Sequence, residues 1–283
     1  MPFENPLVDS QYEMRQYPIG PDIRGEYFRD QATIIHSLPY RRLKHKTQVY
    51  FSPNNDHVCT RIEHSLHVAT IAATIAKGLG RNIDMAYAIG LGHDLGHAPF
   101  GHAGETVLSE KCKCIGGFIH EVHGLRVVDV LGNRGVGLNL TYGVRDGIIC
   151  HCGEELDQKI RPRNEYLDLK SIVKRDKMPS SWEGCIARMA DRIAYLSRDL
   201  EDSLYGGFVK KGQIKPNILN ELGESNSEII DKLVIDVIET SKNEEQIAFS
   251  EDRHSLMKEL HDFSVENIYS HEKVVRYQKF CER

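Results

Sequence analysis

The amino-acid sequence predicts an all-α protein, a helical bundle followed by a C-terminal helical extension. The alternation typical of β-strands is scarce, and 40% hydrophobic and 27% charged residues are ordinary values for a globular chain. Apolar residues instead recur at the three- and four-residue spacing of amphipathic helices. The predicted helical segments are 30–38, 62–79, 83–93, 120–131, 143–150, 183–204, 227–240 and 254–269.

The ends of these elements carry recognisable signals. Thr60 is placed to cap the helix over 62–79, and Gly80 is placed to end it. The segment VLGNRGVGLNLT (130–141) is rich in glycine, which predicts a loop before the next helix. The polar segment 158–181 ends in a Pro-Ser-Ser turn, and we expect it to be a surface excursion between helices.

We expect one domain over residues 1–283. A soft boundary at YGGFVKKGQIKPN (205–217) divides it into a core of about 22–205 and a helical extension of about 206–283. The extension has apolar helix faces but little candidate chemistry.

Composition also indicates the cellular compartment in which the protein is expected to work. No run approaches the ~20 apolar residues that span a membrane, and the segment MPFENPLVDS has no apolar signal core. Seven cysteines in CKC (112–114), CHC (150–152) and single positions do not form a disulfide framework, so we expect a cytoplasmic protein with no membrane partner. The C-x-C spacing differs from the C-x-x-C of structural zinc sites and favours cysteines that act as small hydrophobic residues.

Charge restricts the class of ligand. A net charge of −5 argues against a protein that coats nucleic acid. Positive charge is nevertheless clustered in RRLKHK (41–46) and in 159–177. Such clusters suit a small polyanionic ligand, and for the second cluster a solvated loop is an equal alternative.

A scattered set of imidazole and carboxylate side chains predicts a site for one divalent cation. Its members are His64, the adjacent pair His93 and Asp94, and Asp191, each in or at the end of a different predicted helix. Mixed nitrogen and oxygen donors suit Zn, Mn, Fe or Co and leave positions open for water and a phosphate oxygen. A metal ion there can polarise a phosphoryl group and acidify its bound water.

The segment HDLGHAPFGHAGE (93–105) concentrates titratable groups around this predicted centre. His97 would share a helix face with His93 if the helix continued that far, and Pro99 with Gly101 then turns His102 and Glu105 to another angle. Such crowding marks functional sites more often than packed cores.

The predicted helix around Asp191 gives an independent indication. Tyr195 and Asp199 follow at four-residue intervals, so the three side chains lie on one helix face. Arg188 and Arg192 flank that face, near enough to reach an anion held by the metal.

His120 opens another predicted helix after a glycine turn. From spacing alone it fits a buried core histidine and a general acid-base equally well, since the unperturbed pKa of histidine lies near neutrality.

These residues and their surroundings resemble the HD-domain metal-dependent phosphohydrolases, and more narrowly the dGTPase-like branch of deoxynucleoside triphosphate triphosphohydrolases. The resemblance covers most of residues 22–205, and RRLKHKTQVY (41–50) and HDLGHAPFGHAGE (93–105) are its most specific segments. It implies an all-α HD-domain bundle that hydrolyses a dNTP to deoxynucleoside and inorganic triphosphate. It also implies one divalent ion of undetermined identity among Mn, Mg, Zn, Fe, Co and Ni.

The resemblance assigns a role to each matching position. The metal ligands would be His64, His93, Asp94 and Asp191. The catalytic group would be His120, oriented by Glu105, with His97 and His102 on the α-phosphate. The substrate contacts would be Arg61 and Arg192 to the triphosphate, Tyr195 and Asp199 to the sugar, and Gln48 to the 3′-hydroxyl.

The chain departs from this pattern at His261, where the family pattern leads us to expect an arginine. The resemblance favours a homo-oligomer and allows a nucleotide effector. Two other functions stay open: another HD-domain phosphohydrolase, such as a nucleoside 5′-monophosphatase or phosphodiesterase, and a non-catalytic protein that binds nucleotides or single-stranded nucleic acid.

Overall fold

The computed structural model describes residues 3–46, 49, 58–152 and 156–281, and within these residues it is built almost wholly from helices. The all-α prediction is confirmed. The helices are α1 (Asp9–Tyr12), α2 (Glu26–His36), α3 (Leu38–Arg42), α4 (Arg61–Gly78), α5 (Ile83–Gly92), α6 (Gly101–Lys111), α7 (His120–Arg126), α8 (Gly132–Gly135), α9 (Tyr142–Ile149), α10 (Trp182–Tyr205), α11 (Pro216–Leu222), α12 (Asn226–Asn243), α13 (Glu251–Ser264) and α14 (Glu272–Cys281).

The two ends of helix α4 lie where the local sequence signals predict them. The Glu63 carboxylate accepts the backbone N–H of Thr60 at 2.7 Å and so closes the first turn of α4. Helix α4 ends at Gly78, and the chain turns at Gly80, whose φ of +65° is the left-handed conformation that glycine adopts without strain.

Helices α4, α5 and α10 form the centre of the bundle, and α2, α9 and α12 pack around them. The α4–α5 crossing is close because Gly90 lies directly against the backbone of Ala69, where an added Cβ would stand 2.6 Å from Ala69 Cα. One continuous apolar cluster runs from Phe3 to Val274 and includes Leu233, Met257 and Phe263 of the C-terminal helices. The division into a core and an extension stays a prediction, but the extension shares this apolar cluster.

A second close approach fixes the connection between α5 and α7. A single 3₁₀ turn, His93–Gly96, follows α5 and packs against α7. A Cβ on Gly96 would lie 2.1 Å from the carbonyl oxygen of His120 and 2.2 Å from the amide nitrogen of Gly124. Only glycine fits there, so the turn and α7 meet backbone to backbone.

The segment 158–181 differs from the surface excursion that its polarity predicts. It contains β1 (Lys159–Ile160), which pairs antiparallel with β2 (Ile247–Ala248). Ile160, Leu169 and Ile172 are buried and anchor the segment to the body of the protein. Sparse apolar residues in a polar background gave no helical or strand period, so the sequence did not indicate this anchoring. By contrast, 130–141 is mainly the connection that its glycines predict, and its short helix α8 is interrupted by the left-handed residues Asn133 and Arg134.

Candidate active site

The largest group of the predicted site residues lines one cavity of about 450 Å³, a size typical of sites for small molecules. Helices α4, α6, α7 and α10 and the turn after α5 form its walls, and the C-terminal helices close one side. The predicted residues on its lining are Arg61, His64, Asp94, His97, His102, His120, Asp191, Tyr195 and Asp199.

The predicted metal ligands converge at one wall of this cavity. His64, His93 and Asp94 each contribute one donor atom, and these three atoms lie within 4.8 Å of one another. Asp191 Oδ1 stands 2.9 Å from His64 Nε2 and 3.6 Å from His93 Nε2, and His93 Nε2 is 3.4 Å from Asp94 Oδ1. Residues far apart in sequence therefore point nitrogen and oxygen donors at one point.

The chemistry of this donor set fits a divalent cation. His93 Nδ1 lies 2.7 Å from the carbonyl oxygen of Gly90, which leaves the buried Nε2 free and without a hydrogen-bond partner. That is the arrangement in which histidine ligates metals. Burial alone would raise the pKa of Asp94, but His97, His93 and Arg61 outweigh it and hold this pKa well below its ordinary value. Burial opposes ionisation of Asp191 too, but its hydrogen bond with His64 and the nearby His93 lower its pKa. Both carboxylates are therefore anionic, as a metal site requires.

Arg61 and His97 flank the Asp94 carboxylate on the cavity side. Arg61 Nη1 donates to Asp94 Oδ2 at 2.8 Å, and His97 Nε2 lies 3.1 Å from Asp94 Oδ1. Burial, and then the charge of Arg61, hold the pKa of His97 well below its ordinary value, so its imidazole is neutral. The His97 ring stacks on the ring of His120 with centroids 3.9 Å apart. His102 lies at the opening, with its side chain 73% exposed.

His120 and Glu105 form a buried dyad. Glu105 Oε2 stands 3.0 Å from His120 Nδ1, and Glu105 Oε1 accepts the backbone N–H of His120 at 3.1 Å. Burial alone would raise the pKa of Glu105, but interactions with His102, His120 and Arg175 outweigh it and hold this pKa well below its ordinary value. An anionic Glu105 therefore orients the imidazole of His120 and leaves His120 Nε2 facing the cavity.

Arg175, which lies in the segment 158–181, forms a hydrogen bond with Glu105 of this dyad. Its Nη2 donates to Glu105 Oε1 and its Nε donates to Glu121 Oε1, each at 2.7 Å. The basic cluster 159–177 therefore sends at least this one guanidinium into the protein, where two carboxylates hold it. A single basic residue in a polar segment gives no sequence signal that distinguishes it from its solvated neighbours.

The α10 face is arranged as its spacing predicts. Asp191, Tyr195 and Asp199 all line the cavity. Burial raises the pKa of Asp199 to about 7, and the hydroxyl of Tyr269 donates to its Oδ2 at 2.7 Å. Tyr269 belongs to the C-terminal extension.

The C-terminal helices contribute more chemistry than the sequence indicated. His261, Tyr269, Tyr277 and Gln278 line the cavity beside the α10 face. Among them the sequence analysis singled out only His261, as a departure from the family pattern, and tertiary packing brings the other three to the site.

Arg192 does not lie on the cavity lining. Arg188 and Arg192 both donate to Asp157 Oδ2, at 3.1 Å and 2.9 Å, and Arg188 also donates to the carbonyl oxygen of Cys152. Sequence spacing predicted that both arginines flank the α10 face but could not indicate the carboxylate that engages them. Gln48, the remaining predicted contact, lies outside the described residues.

His151 and Cys152 are lining residues that the sequence analysis did not select. His151 packs edge-on to His93, with ring centroids 5.0 Å apart, and 5.6 Å from the ring of His120. Burial lowers the pKa of His151 to about 4, so its imidazole is neutral. The segment CHC (150–152) contains this histidine, but the spacing of the two cysteines gives no indication that His151 lies at the site.

A helical bundle in which His64, an adjacent His93–Asp94 pair and Asp191 converge beside one cavity defines an HD-domain hydrolase. The HD domain family matches residues 61–196, the span from the start of α4 to the middle of α10. Named relatives narrow the class. A "Deoxyguanosinetriphosphate triphosphohydrolase-like protein" of Desulfatibacillum aliphaticivorans is 41% identical over 273 residues, which cover 95% of this chain and 73% of that protein.

Relatives with the same name occur in other bacteria. The protein of Caldanaerobacter subterraneus subsp. tengcongensis is 39% identical over 262 residues, covering 93% of this chain and 70% of the relative. The protein of Thiobacillus denitrificans is 34% identical over 301 residues, covering 93% and 77%. The chain belongs to this deoxyguanosinetriphosphate triphosphohydrolase-like family.

Proposed function

We propose that this protein hydrolyses deoxynucleoside triphosphates, with dGTP among them, to deoxynucleoside and inorganic triphosphate. The observation that carries the proposal is the set of side chains that line the cavity of about 450 Å³. A metal-ligand set, a histidine–carboxylate dyad and a Tyr195–Asp199 face open onto the same space. These groups suit, in order, a phosphate, a leaving oxygen and a sugar, and the names of the relatives point to the same substrate class.

His64, His93, Asp94 and Asp191 would hold one divalent ion. When bound, such an ion supplies Lewis-acid polarisation of the α-phosphate and offsets the charge that develops there. Arg61 orients Asp94 through its 2.8 Å hydrogen bond and keeps its remaining donors for phosphate oxygens.

In this proposal, water attacks the α-phosphorus, and the bond between that phosphorus and the 5′-oxygen of the sugar breaks. His120 gives a proton to the departing oxygen from Nε2, the nitrogen that Glu105 leaves free. His97, which is neutral and stacked on His120, and His102 at the opening would contact the α-phosphate oxygens. The products are the 3′,5′-dihydroxy nucleoside and triphosphate.

Recognition of the sugar and of the outer phosphates falls to α10. Tyr195 would pack against C2′ and exclude a ribose hydroxyl, and Asp199 would bond the 3′-hydroxyl. Arg192 would hold the outer phosphates. To do so it exchanges the Asp157 carboxylate, which now accepts from its guanidinium at 2.9 Å, for a phosphate.

The test is turnover of each of the four dNTPs and of GTP with Mn²⁺ or Mg²⁺, with the products resolved by ion-pair chromatography. We expect deoxynucleoside plus triphosphate and no attack on GTP. Release of phosphate or pyrophosphate with a nucleotide left over would instead identify another HD-domain phosphohydrolase. A salt-sensitive affinity for single strands without any dNTP turnover would identify a binding protein.

A His120→Ala variant tests the role of the acid separately. We expect turnover to fall by about 10²–10⁴-fold while the Mn²⁺ content of the Mn²⁺-loaded protein, measured by plasma mass spectrometry, stays at the wild-type level. Full turnover with metal still bound would contradict the role of His120.

Several finer points stay predictions. They are the base preference, the identity of the ion, a homo-oligomeric assembly, a nucleotide effector and a cytoplasmic location. In the described part of the chain, no helix is both long and apolar enough to cross a membrane.

A further inference from the structure

A second set of metal-donor atoms lies beside the predicted HD ligands. His120, Glu121, His151 and Cys152 each offer one ligand atom, and these four atoms lie within 4.8 Å of one another. Three of the four residues have no part in the proposed hydrolysis. All four are buried or half-buried, and the set opens onto the same cavity through His151 and Cys152.

The hydrogen bonds around the set leave its donor atoms available. His120 Nδ1 is engaged by Glu105 Oε2 at 3.0 Å, and His151 Nδ1 by the carbonyl oxygen of Ile148 at 2.7 Å. Each imidazole therefore presents Nε2 with its lone pair, held by a carboxylate or a carbonyl as in protein metal sites. Arg175 engages Glu121 Oε1, and Glu121 Oε2 is buried without a hydrogen-bond partner.

The donor types select the class of ion. Two imidazoles, one carboxylate and one thiol suit a borderline-soft ion of the Zn²⁺ class, whereas Mg²⁺ prefers an all-oxygen shell. Donors around tetrahedral zinc stand roughly 3.3–3.8 Å apart, as follows from the usual Zn–N and Zn–S bond lengths. Cys152 Sγ lies 3.8 Å from His120 Nε2. This is close to the ~3.6 Å that a nitrogen–sulfur pair takes around tetrahedral zinc.

We propose that His120, Glu121, His151 and Cys152 form a second metal site, which takes a thiophilic divalent ion and thereby inhibits the enzyme. On binding, the Cys152 thiol releases its proton to water. The resulting thiolate and the Glu121 carboxylate balance the charge of the ion. Because His120 Nε2 becomes a ligand, it can no longer carry a proton to the leaving oxygen. The inhibitory part rests on the proposed function, and the binding part does not.

Cobalt(II) titration tests the binding directly. A thiolate ligand gives Co²⁺ an intense near-ultraviolet charge-transfer band, whereas the predicted HD site has nitrogen and oxygen donors only. We expect the band in the wild-type protein, its loss in Cys152→Ser, and its displacement by Zn²⁺. A Cys112→Ser/Cys114→Ser double variant, altered at partly exposed cysteines away from the cavity, serves as the matched control and should keep the band. Absence of the band from wild type, or its persistence in Cys152→Ser, would overturn the proposal.

Inhibition is measured separately on the Mn²⁺-loaded enzyme. Added Zn²⁺ should lower wild-type dNTP turnover by tenfold or more. Half-inhibition of Cys152→Ser should need at least tenfold more Zn²⁺ than half-inhibition of the wild type or of the double variant. Equal inhibition of Cys152→Ser and wild type would refute the inhibitory role. If no dNTP is turned over at all, the proposed function fails, and the cobalt band still decides whether the second site exists.

Discussion

Replacement of Arg175 by alanine should damage both the stability of the protein and its turnover. The guanidinium joins Glu105, the partner of His120, to the neighbouring Glu121 through two hydrogen bonds of 2.7 Å. Hydrogen bonds to charged groups contribute about 1.5–3 kcal/mol each. Because the Arg175 side chain is 32% exposed, water replaces part of this, and we expect a net loss of about 2–3 kcal/mol in the free energy of unfolding.

The effect on turnover follows from the position of Glu105. Without Arg175, two buried carboxylates face each other with less compensating charge, and Glu105 loosens its hold on His120. A displacement of about 1 Å in a catalytic group can cost on the order of 100-fold in rate. We therefore expect kcat to fall by about ten- to 100-fold with a smaller change in KM. Thermal unfolding should shift down by about 5 °C.

The assay combines calorimetry with dNTP turnover on three variants. Arg175→Lys keeps the charge but not the planar fork that serves two carboxylates, so it should lie between wild type and Arg175→Ala. Lys174→Ala removes an exposed positive charge from the adjacent position and is the matched control. If Arg175→Ala melted and turned over like Lys174→Ala, Arg175 would have no part in positioning His120.

Three further predictions concern the metal, the sugar and the buried carboxylates. Removal of the ion by a chelator should abolish turnover, and Mn²⁺ should restore it in the wild type. Mn²⁺ should not restore turnover in Asp191→Asn, because this variant lacks an anionic ligand. Turnover and metal content are measured together, and full recovery of the variant would exclude Asp191 from the ligand set. Tyr195→Ala should raise kcat/KM for GTP relative to dGTP by tenfold or more, and an unchanged ratio in a competition assay would place the sugar elsewhere. Burial raises the pKa of Asp202 to about 6, so its ionised form destabilises the fold, and this cost grows as the pH rises from the unfolded value near 4 to the folded value near 6. Asp202→Asn should accordingly be more stable than wild type by about 1–2 kcal/mol at pH 8 and show no such gain at pH 4, as measured by urea unfolding; an equal difference at both pH values would contradict this assignment.

The helices were predictable because their signals are local. Apolar period, the cap at Thr60 and the stop at Gly80 are all contained within one or two turns of chain. The four predicted metal ligands were recognisable for a related reason, since each stands in a helical segment whose context made a buried polar side chain conspicuous. Their convergence in the structure depends on the close crossing of α4, α5 and α10, which the sequence does not specify.

The remaining parts of the site depend on long-range packing. Arg175 reaches Glu105 across 70 residues, and Tyr269 reaches Asp199 across 70 residues. Neither pair has a spacing or a motif that links its members. The resemblance assigned Arg192 to the triphosphate, which stays a prediction, but the sequence could not indicate that Asp157 accepts a hydrogen bond from the same guanidinium.

The glycine contact between the His93–Gly96 turn and α7 fixes the backbone spacing on one side of the cavity. The backbones that carry His93 and Asp94 on one side and His120 on the other meet at this contact, so no change in side-chain packing between them can alter the spacing of the two backbones. The opposite wall, by contrast, consists of side chains such as His261 and Tyr277 on the C-terminal helices. Substitutions can therefore accumulate on that wall, and change the shape of the cavity, while the backbone spacing between the turn and α7 stays fixed.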